Sequence, residues 1–142
     1  VLIVYDTMWG STEKMAKAIM EGVMGTGVEA KLYRLPDSEE SDIFGDLLDA
    51  GGMLLGSSTI NNGVLPTLGT FIIDVKGLKP RGKLSAAFGS YGWGGGAAKE
   101  LEAVLKEAGC EVAMPSLTAN WSPSREELEK CVQFGREFAK KL

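Results

Sequence analysis

The hydrophobic pattern of the chain alternates between short apolar runs and longer stretches in which apolar residues recur at helical spacing. Continuous apolar runs are typical of strands that are buried on both faces of a parallel sheet. The pattern predicts strands at residues 1–5, 28–35, 52–56, 83–89 and 110–114, the last continuing through 117–119. It predicts helices at residues 12–25, 42–49, 66–75, 97–108 and 123–140, the last capped by Ser122 and opened by Pro123.

This alternation of strand and helix predicts an α/β fold. Five strands alternating with five helices form a doubly wound five-stranded parallel sheet, with helices on both faces and right-handed crossovers. At 142 residues the chain has the size of one domain. Because the sequence begins at Val1, inside a strand and without a methionine, we interpret residues 1–142 as a single domain of a longer protein.

A polar loop between the first strand and the first helix is the strongest candidate site. It contains Thr7, Met8, Trp9, Gly10, Ser11 and Thr12. The first N–H groups of a helix have no acceptor within the helix and lie at the positive end of its dipole, so they attract phosphate. Hydroxyl groups add donors, and a glycine lets the backbone approach the ligand. The loop has no Lys or Arg, which argues against ATP or GTP, whose loop needs a lysine.

Two further polar loops follow the third and fourth strands. The second loop includes Ser58, Thr59, Ile60, Asn61, Asn62 and Gly63, and the third includes Ser90, Tyr91, Gly92, Trp93, Gly94 and Gly95. All three loops fall at the carboxyl ends of the strands, where doubly wound sheets bind their ligands. Low charge, backbone hydrogen-bonding groups and aromatic faces suit a flat heteroaromatic ring. A phosphate together with such a ring indicates FMN.

Composition excludes several other kinds of function. The net charge of −4 disfavours nucleic acid and anionic membranes as partners. No apolar run of about 18 residues predicts a membrane span. Because the chain has no histidine, we predict neither a metal site nor a catalytic triad, and no residue is assigned a catalytic role. Cys110 and Cys131 form no C-x-x-C pair, so we expect reduced core thiols in a cytoplasmic protein.

The three loops, in this order, resemble those of the flavodoxin family over essentially the whole chain. The resemblance is closer still to the flavodoxin-like FMN domain at the C-terminal end of flavodiiron proteins, in which Thr-Met-Trp-Gly-Ser-Thr and Ile-Asn-Asn-Gly are typical. It implies the strand order 2-1-3-4-5, an FMN cofactor and an electron-transfer function. It also implies redox partner proteins or a diiron domain outside this chain, which reduces O2 or NO, and a homodimer of the full-length protein.

We further expect Thr7, Gly10, Ser11 and Thr12 to hold the phosphate and Trp93 to stack on the ring. The stretches 59–63 and 91–94 would supply backbone hydrogen bonds to the polar rim of the ring. The Asn61-Asn62 peptide, beside Gly63, would reorient when the ring nitrogen N5 gains a proton, because Asn and Gly tolerate positive φ. The third loop has glycines where many flavodoxins have carboxylates, which predicts a less negative potential for the second electron.

Other functions remain in competition with this one. Within the flavin interpretation, the alternative to an electron-transfer module of a larger oxidoreductase is a free-standing flavodoxin. A non-redox interaction module on the same fold is a further alternative. Residues 92–97 match the dinucleotide pattern G-x-G-x-x-[GA], but they follow the fourth strand rather than the first. Asp6 alone cannot make a phosphoacceptor domain, because no Asp ends the third strand and no Lys ends the fifth.

Overall fold

A computed structural model describes residues 1–92, 96–120 and 122–142. Its strands are β1 (Leu2–Asp6), β2 (Lys31–Arg34), β3 (Gly52–Ser58), β4 (Leu84–Tyr91), β5 (Glu111–Val112) and β6 (Leu117–Asn120). Its α-helices are α1 (Ser11–Met24), α2 (Glu40–Asp49), α3 (Pro66–Leu78), α4 (Ala97–Glu107) and α5 (Arg125–Lys140). A single turn of 3-10 helix, Leu35–Asp37, follows β2.

The strands form one parallel sheet in the order β2-β1-β3-β4-β5, which confirms the predicted order 2-1-3-4-5. The register places Asp6 of β1 opposite Ser57 of β3, and Ser57 opposite Gly89 of β4. The carboxyl ends of these three central strands therefore lie level with one another. This alignment brings the three polar loops to one edge of the sheet.

The fifth position of the sheet is divided between two strands, where the sequence pattern predicted one strand with a continuation. β5 pairs with Leu84 and Ser85 of β4, and β6 pairs with residues 88–91 of the same strand. Pro115 lies in the gap between β5 and β6. Because proline has no N–H to donate to the ladder, it interrupts the pairing there.

Two hydrophobic clusters cover the two faces of the sheet. One includes Ile43, Leu68 and Leu101 from α2, α3 and α4, and the other includes Met15 and Phe138 from α1 and α5. Helices therefore lie on both faces, as predicted. A stacked pair, Phe44 and Phe71, joins α2 to α3 with ring centroids 5.2 Å apart.

Glycines allow α1 and α5 to pack closely. A Cβ at Gly22 would lie 1.9 Å from the carbonyl oxygen of Val132, and a Cβ at Gly135 would lie 2.1 Å from that of Ile19. Each position therefore accepts only glycine without a shift of the backbone. This contact fixes α1, whose first turn belongs to the predicted phosphate site.

The predicted start of the last helix was wrong by two residues. Ser124, not Ser122, is the N-cap, and α5 begins at Arg125 rather than at Pro123. The Ser124 hydroxyl accepts a hydrogen bond from the Glu127 N–H, and the Glu127 carboxylate accepts one from the Ser124 N–H. This reciprocal pair is a capping box. It sets the start of α5 at Arg125, although Pro123 had indicated an earlier start.

Both cysteines are buried free thiols, as predicted. Burial raises the pKa of Cys110, and burial together with the nearby Glu127 raises the pKa of Cys131 to about 11. Both groups therefore stay protonated near neutral pH. Among the helices that the structure describes, none is both long and apolar enough to cross a bilayer.

Candidate functional site

The first loop leads from β1 directly into the uncapped start of α1. Gly10 occupies the N-cap position with φ 88°, in the left-handed region that glycine adopts at low cost. Glycine has no side chain to cap the helix, and no side-chain hydrogen bond does so here. The Gly10 N–H donates to the Thr7 hydroxyl over 3.0 Å, which closes the loop on itself. The N-terminus of α1 is thus left open to an anion.

Asp6, at the end of β1, fixes the base of this loop. Its carboxylate accepts hydrogen bonds from the Thr7 N–H, at 2.7 Å, and from the Thr67 hydroxyl of α3. Arg34 Nε lies 3.9 Å from the same carboxylate. Asp6 is buried, and these contacts give it a structural role that the sequence analysis did not identify. The sequence feature that could have indicated this role is a carboxylate directly before the predicted phosphate loop.

Glu13, in the first turn of α1, is held by a tyrosine. The Tyr5 hydroxyl donates to Glu13 Oε1 over 2.9 Å. Burial and the bond to Glu13 raise the pKa of Tyr5 well above its usual range, so the phenol stays protonated and keeps donating. A glutamate in the first turn of a helix can reach back to accept from the free N–H groups at the helix start. The bond from Tyr5 gives the Glu13 carboxylate a different partner.

Three buried hydroxyl groups lie beneath the first loop. Thr12 Oγ1 is 2.8 Å from Ser58 Oγ and 2.8 Å from Ser90 Oγ, and the two serine oxygens are 3.3 Å apart. Ser58 Oγ also accepts a hydrogen bond from the Met8 N–H over 3.1 Å. We call Thr12, Ser58 and Ser90 the hydroxyl cluster. It ties the first loop and α1 to the ends of β3 and β4.

Several residues that we predicted to lie in loops belong to strands. Ser58 ends β3, and Ser90 and Tyr91 end β4. Polar residues at the ends of strands indicated loops, but here the serine side chains are buried and bonded to one another. The Ser90 carbonyl also accepts the Thr59 N–H over 2.9 Å, which extends the pairing of β3 and β4 by one residue.

The second loop contains a tight turn. Ile60 and Gly63 exchange two backbone hydrogen bonds of 2.8 and 2.9 Å, and the residues between them have positive φ, 49° at Asn61 and 61° at Asn62. Positive φ at both central positions is the type I′ arrangement, which Asn favours. Gly63 is not among the residues with positive φ. The left-handed backbone conformation in this loop is therefore adopted by the two asparagines and not by Gly63.

This turn packs against the start of α4. A Cβ at Gly96 would lie 2.0 Å from the Asn62 carbonyl oxygen. The Thr59 hydroxyl accepts the Ala97 N–H over 3.4 Å, and Glu100 accepts the Val64 N–H over 3.0 Å. Gly96 and Glu100 are thus contacts of the site that our predicted residue set did not include. Glu100 therefore places a carboxylate close to the second loop. The sequence analysis considered carboxylates only in the third loop, where it found glycines.

The three loops enclose a cleft of about 190 Å³ at the carboxyl edge of the sheet. All of the described residues that line it were predicted from the sequence: Met8, Trp9, Ser11, Ser58, Thr59, Ser90, Tyr91 and Gly92. The Trp9 side chain is 76% exposed at its mouth. Thr7 and Gly10 belong to the first loop and Thr12 to the first turn of α1, while residues 60–63 form the turn of the second loop. The predictions for Trp93, Gly94 and Gly95 fall outside the described residues.

A larger cleft of about 360 Å³ lies at the opposite edge of the sheet. Val1, Gly51 and Leu142 are among the residues that line it. This is the edge where the strands begin, whereas ligands of doubly wound sheets bind where the strands end. None of the predicted site residues that the structure describes lines it. In the part of the chain that the structure describes, no group of three or more acidic or cysteine side chains is arranged to hold a metal ion.

The family model for flavodoxin matches residues 3–135 of the chain. The chain belongs to the flavodoxin family. The fold of this flavodoxin domain is also that of a solved archaeal flavodoxin, with a TM-score of 0.88 and 28% identity. That match covers 99% of this chain and 98% of the archaeal one.

Two larger oxidoreductases are also similar to this flavodoxin domain. A nitric oxide reductase from Moorella thermoacetica is 47% identical over 142 residues, which are 99% of this chain and 36% of that protein. The structure of rubredoxin:oxygen oxidoreductase from Desulfovibrio gigas gives a TM-score of 0.95 at 34% identity. It is matched over 99% of this chain and 35% of its own length. The chain therefore spans about a third of the length of these two relatives. Their similarity confirms the predicted resemblance to flavodiiron proteins.

Proposed function

We propose that this domain binds FMN in the cleft at the carboxyl edge of the sheet and transfers electrons through it. The observation that carries the proposal is the convergence of all three predicted loops on one cleft in a member of the flavodoxin family. No lysine or arginine is among the residues described as lining it. The ligand phosphate would therefore interact with backbone N–H groups, hydroxyl groups and the dipole of α1.

The phosphate would lie at the first turn of α1. Gly10 leaves this helix uncapped, and Thr7, Ser11 and Thr12 add hydroxyl groups around it. Asp6 holds the Thr7 N–H from below, and Tyr5 holds the Glu13 carboxylate. These contacts order the loop before the ligand arrives, which reduces the entropy lost on binding.

The ring would lie between the first and third loops, with its polar rim against the second. Trp9 and Tyr91 line this part of the cleft together with Thr59. We expect residues 59–63 to offer backbone groups to the rim, although the N–H groups of Thr59, Ile60 and Gly63 already bond within the protein. We also expect Trp93 and residues 94–95 to contact the ring. The flavin, when bound, supplies the one- and two-electron redox chemistry. The protein residues hold the ring, orient it and set the charge around it.

In a full-length protein of the flavodiiron type, the electrons would pass to a diiron centre that reduces O2 or NO. That centre would belong to a region outside these 142 residues, because this sequence has no histidine. The length and the similarity of the two flavodiiron relatives support this assignment. A homodimer of the full-length protein and a cytoplasmic location stay predictions. A free-standing carrier is the second candidate, favoured by the end-to-end match to an archaeal flavodoxin.

The visible absorption spectrum of the purified chain, before and after addition of FMN, tests the proposal. We expect stoichiometric uptake with flavin bands at about 370 and 450 nm, and bleaching of both bands on reductive titration. A chain that takes up no FMN would overturn the proposal and favour an interaction module on the same fold. Iron analysis of the full-length gene product then separates the two flavin functions, since a free-standing carrier contains no iron.

A further inference from the structure

The hydroxyl cluster has more hydrogen-bond acceptors than donors. Each hydroxyl group carries one hydrogen and accepts up to two. Ser58 Oγ already accepts the Met8 N–H, and both serine oxygens lie within 2.8 Å of Thr12 Oγ1. If both serines donate to Thr12, its two acceptor positions are filled. The Thr12 hydrogen must then point to a fourth partner outside the cluster.

Burial makes this arrangement specific. The Thr12 side chain is 0% exposed and Ser90 is 2% exposed, so bulk water does not compete for these hydrogens. Thr12 is the second residue of α1 and lies in the turn where an anion is favoured. An anion there accepts hydrogen bonds and donates none. It therefore favours the arrangements in which Thr12 donates outward, which leaves Thr12 Oγ1 free to accept from both serines.

We propose that Ser90 is a positioning residue for the phosphate of FMN, acting through Thr12. It lies at the end of β4, where it lines the cleft, and its Oγ is 2.8 Å from Thr12 Oγ1. By donating to Thr12 Oγ1 it fixes the direction of the Thr12 hydrogen. Thr12 then makes a charge-assisted hydrogen bond, which is stronger than a neutral one. The inference rests on the proposed function, because it requires FMN to bind with its phosphate at α1.

The variant Ser90→Ala isolates this role. It removes the hydroxyl but keeps the Ser90 carbonyl that accepts the Thr59 N–H. The probes are FMN and riboflavin, which share the ring and differ by the phosphate. The matched control is Ser85→Ala on the same strand, where a fully buried hydroxyl donates to the Glu111 carbonyl over 3.3 Å.

We expect Ser90→Ala to raise the Kd for FMN by about tenfold, because a hydrogen bond to a charged group is affected. The Kd for riboflavin should rise by a clearly smaller factor, since riboflavin has no phosphate to accept the Thr12 hydrogen. Ser85→Ala should leave the ratio of the two affinities at its wild-type value. Ser90→Cys, which keeps the volume but is a weak donor, should behave like Ser90→Ala and replaces it if the alanine variant does not fold.

A wild-type ratio of FMN to riboflavin affinity in both Ser90 variants would overturn the inference while leaving the proposed function intact. An equal loss of affinity for both ligands would also overturn it, because it would show a general disturbance of the cleft. Failure of the wild-type chain to take up FMN is a different result and rejects the proposed function itself.

Discussion

Gly96 and Asn62 are in backbone contact, so that a single added carbon at Gly96 would lie 2.0 Å from the Asn62 carbonyl oxygen. The contact joins the segment before α4 to the turn of the second loop. Gly96 has φ −158°, an extended conformation open to any residue, so closeness rather than backbone strain requires glycine here. The turn of the second loop and the start of α4 are therefore held together at this point.

We predict that Gly96→Ala weakens FMN binding by about tenfold or more, because the turn or the start of α4 must shift away from the cleft. Overpacking of this kind should also lower the free energy of unfolding of the apoprotein by about 1–3 kcal/mol. Fluorescence titration and urea unfolding measure the two effects. Gly69→Ala is the matched control, because its Cβ meets nothing within 4 Å in α3. It should stabilise the domain by about 0.5–1 kcal/mol and leave FMN binding unchanged.

A second prediction concerns the turn at residues 60–63. Because Asn61 has φ 49°, replacement by glycine should preserve the turn, whereas replacement by valine should strain it by about 1–2 kcal/mol. Asn61→Val should therefore weaken FMN binding and shift the flavin potentials, and Asn61→Gly should do neither. Redox titration of both variants gives the comparison. Equal potentials in the two variants would show that the conformation of this turn does not affect the ring.

Substitution at Gly63 is a weaker test of the same idea. A Cβ at Gly63 would lie 2.9 Å from Glu100 Oε2, at the end of an exposed side chain that can move away. Gly63 also lies outside the set of residues with positive φ. A β-branched residue there is accommodated mainly by Glu100, so its effect on the flavin should be smaller than that of Asn61→Val.

Trp9 should contribute to binding of the ring and not to the stability of the apoprotein. Its side chain is 76% exposed at the mouth of the cleft. Trp9→Ala should therefore change the free energy of unfolding of the apoprotein by less than about 0.5 kcal/mol. It should lower the affinities for FMN and riboflavin by the same factor, in contrast to Ser90→Ala. Leu48→Ala, at an equally exposed position on α2, should affect neither ligand. A loss confined to FMN would place Trp9 beside the phosphate instead of the ring.

The fold could be predicted from the sequence because its signals are local. Apolar runs and helical spacing placed every helix within a few residues, and the three polar loops indicated the edge of the site. The error at Ser122 was avoidable, since Ser124 and Glu127 already form the capping-box pattern in the sequence. The division of the fifth strand also has a local cause in Pro115.

Contacts within the site could not be predicted in the same way. Ser58 and Ser90 are 46 and 78 residues from Thr12, and their polar side chains indicated exposed loops. Only the register of the sheet brings their hydroxyl groups within hydrogen-bond distance of Thr12 and of each other in the interior. The closeness of Gly96 to Asn62 is likewise a tertiary contact. A run of glycines marks a flexible or crowded segment, but it does not tell which glycine touches which backbone atom.

The last prediction concerns pH and the capping box of α5. The Glu127 carboxylate accepts the Ser124 N–H at 3.0 Å and the Asn120 N–H at 3.1 Å. The hydrogen bond from Ser124, together with that from Asn120, holds the pKa of Glu127 below its usual value. The stabilisation is therefore complete above the unfolded-state pKa of about 4.3, and it is lost as the pH falls through the lower folded-state pKa.

Glu127→Gln should consequently lower the free energy of unfolding at pH 7 by about 0.5–1 kcal/mol, because a neutral amide is a weaker acceptor than a carboxylate. The difference from the wild type should shrink as the pH falls through the lowered folded-state pKa of Glu127, because the carboxyl group itself then becomes neutral. Urea unfolding at several pH values measures it. Glu126→Gln, in the same helical turn, is the control and should show only the smaller effect of the helix dipole. A constant difference between Glu127→Gln and the wild type at all pH values would mean that packing, and not the charge of the carboxylate, stabilises the start of α5.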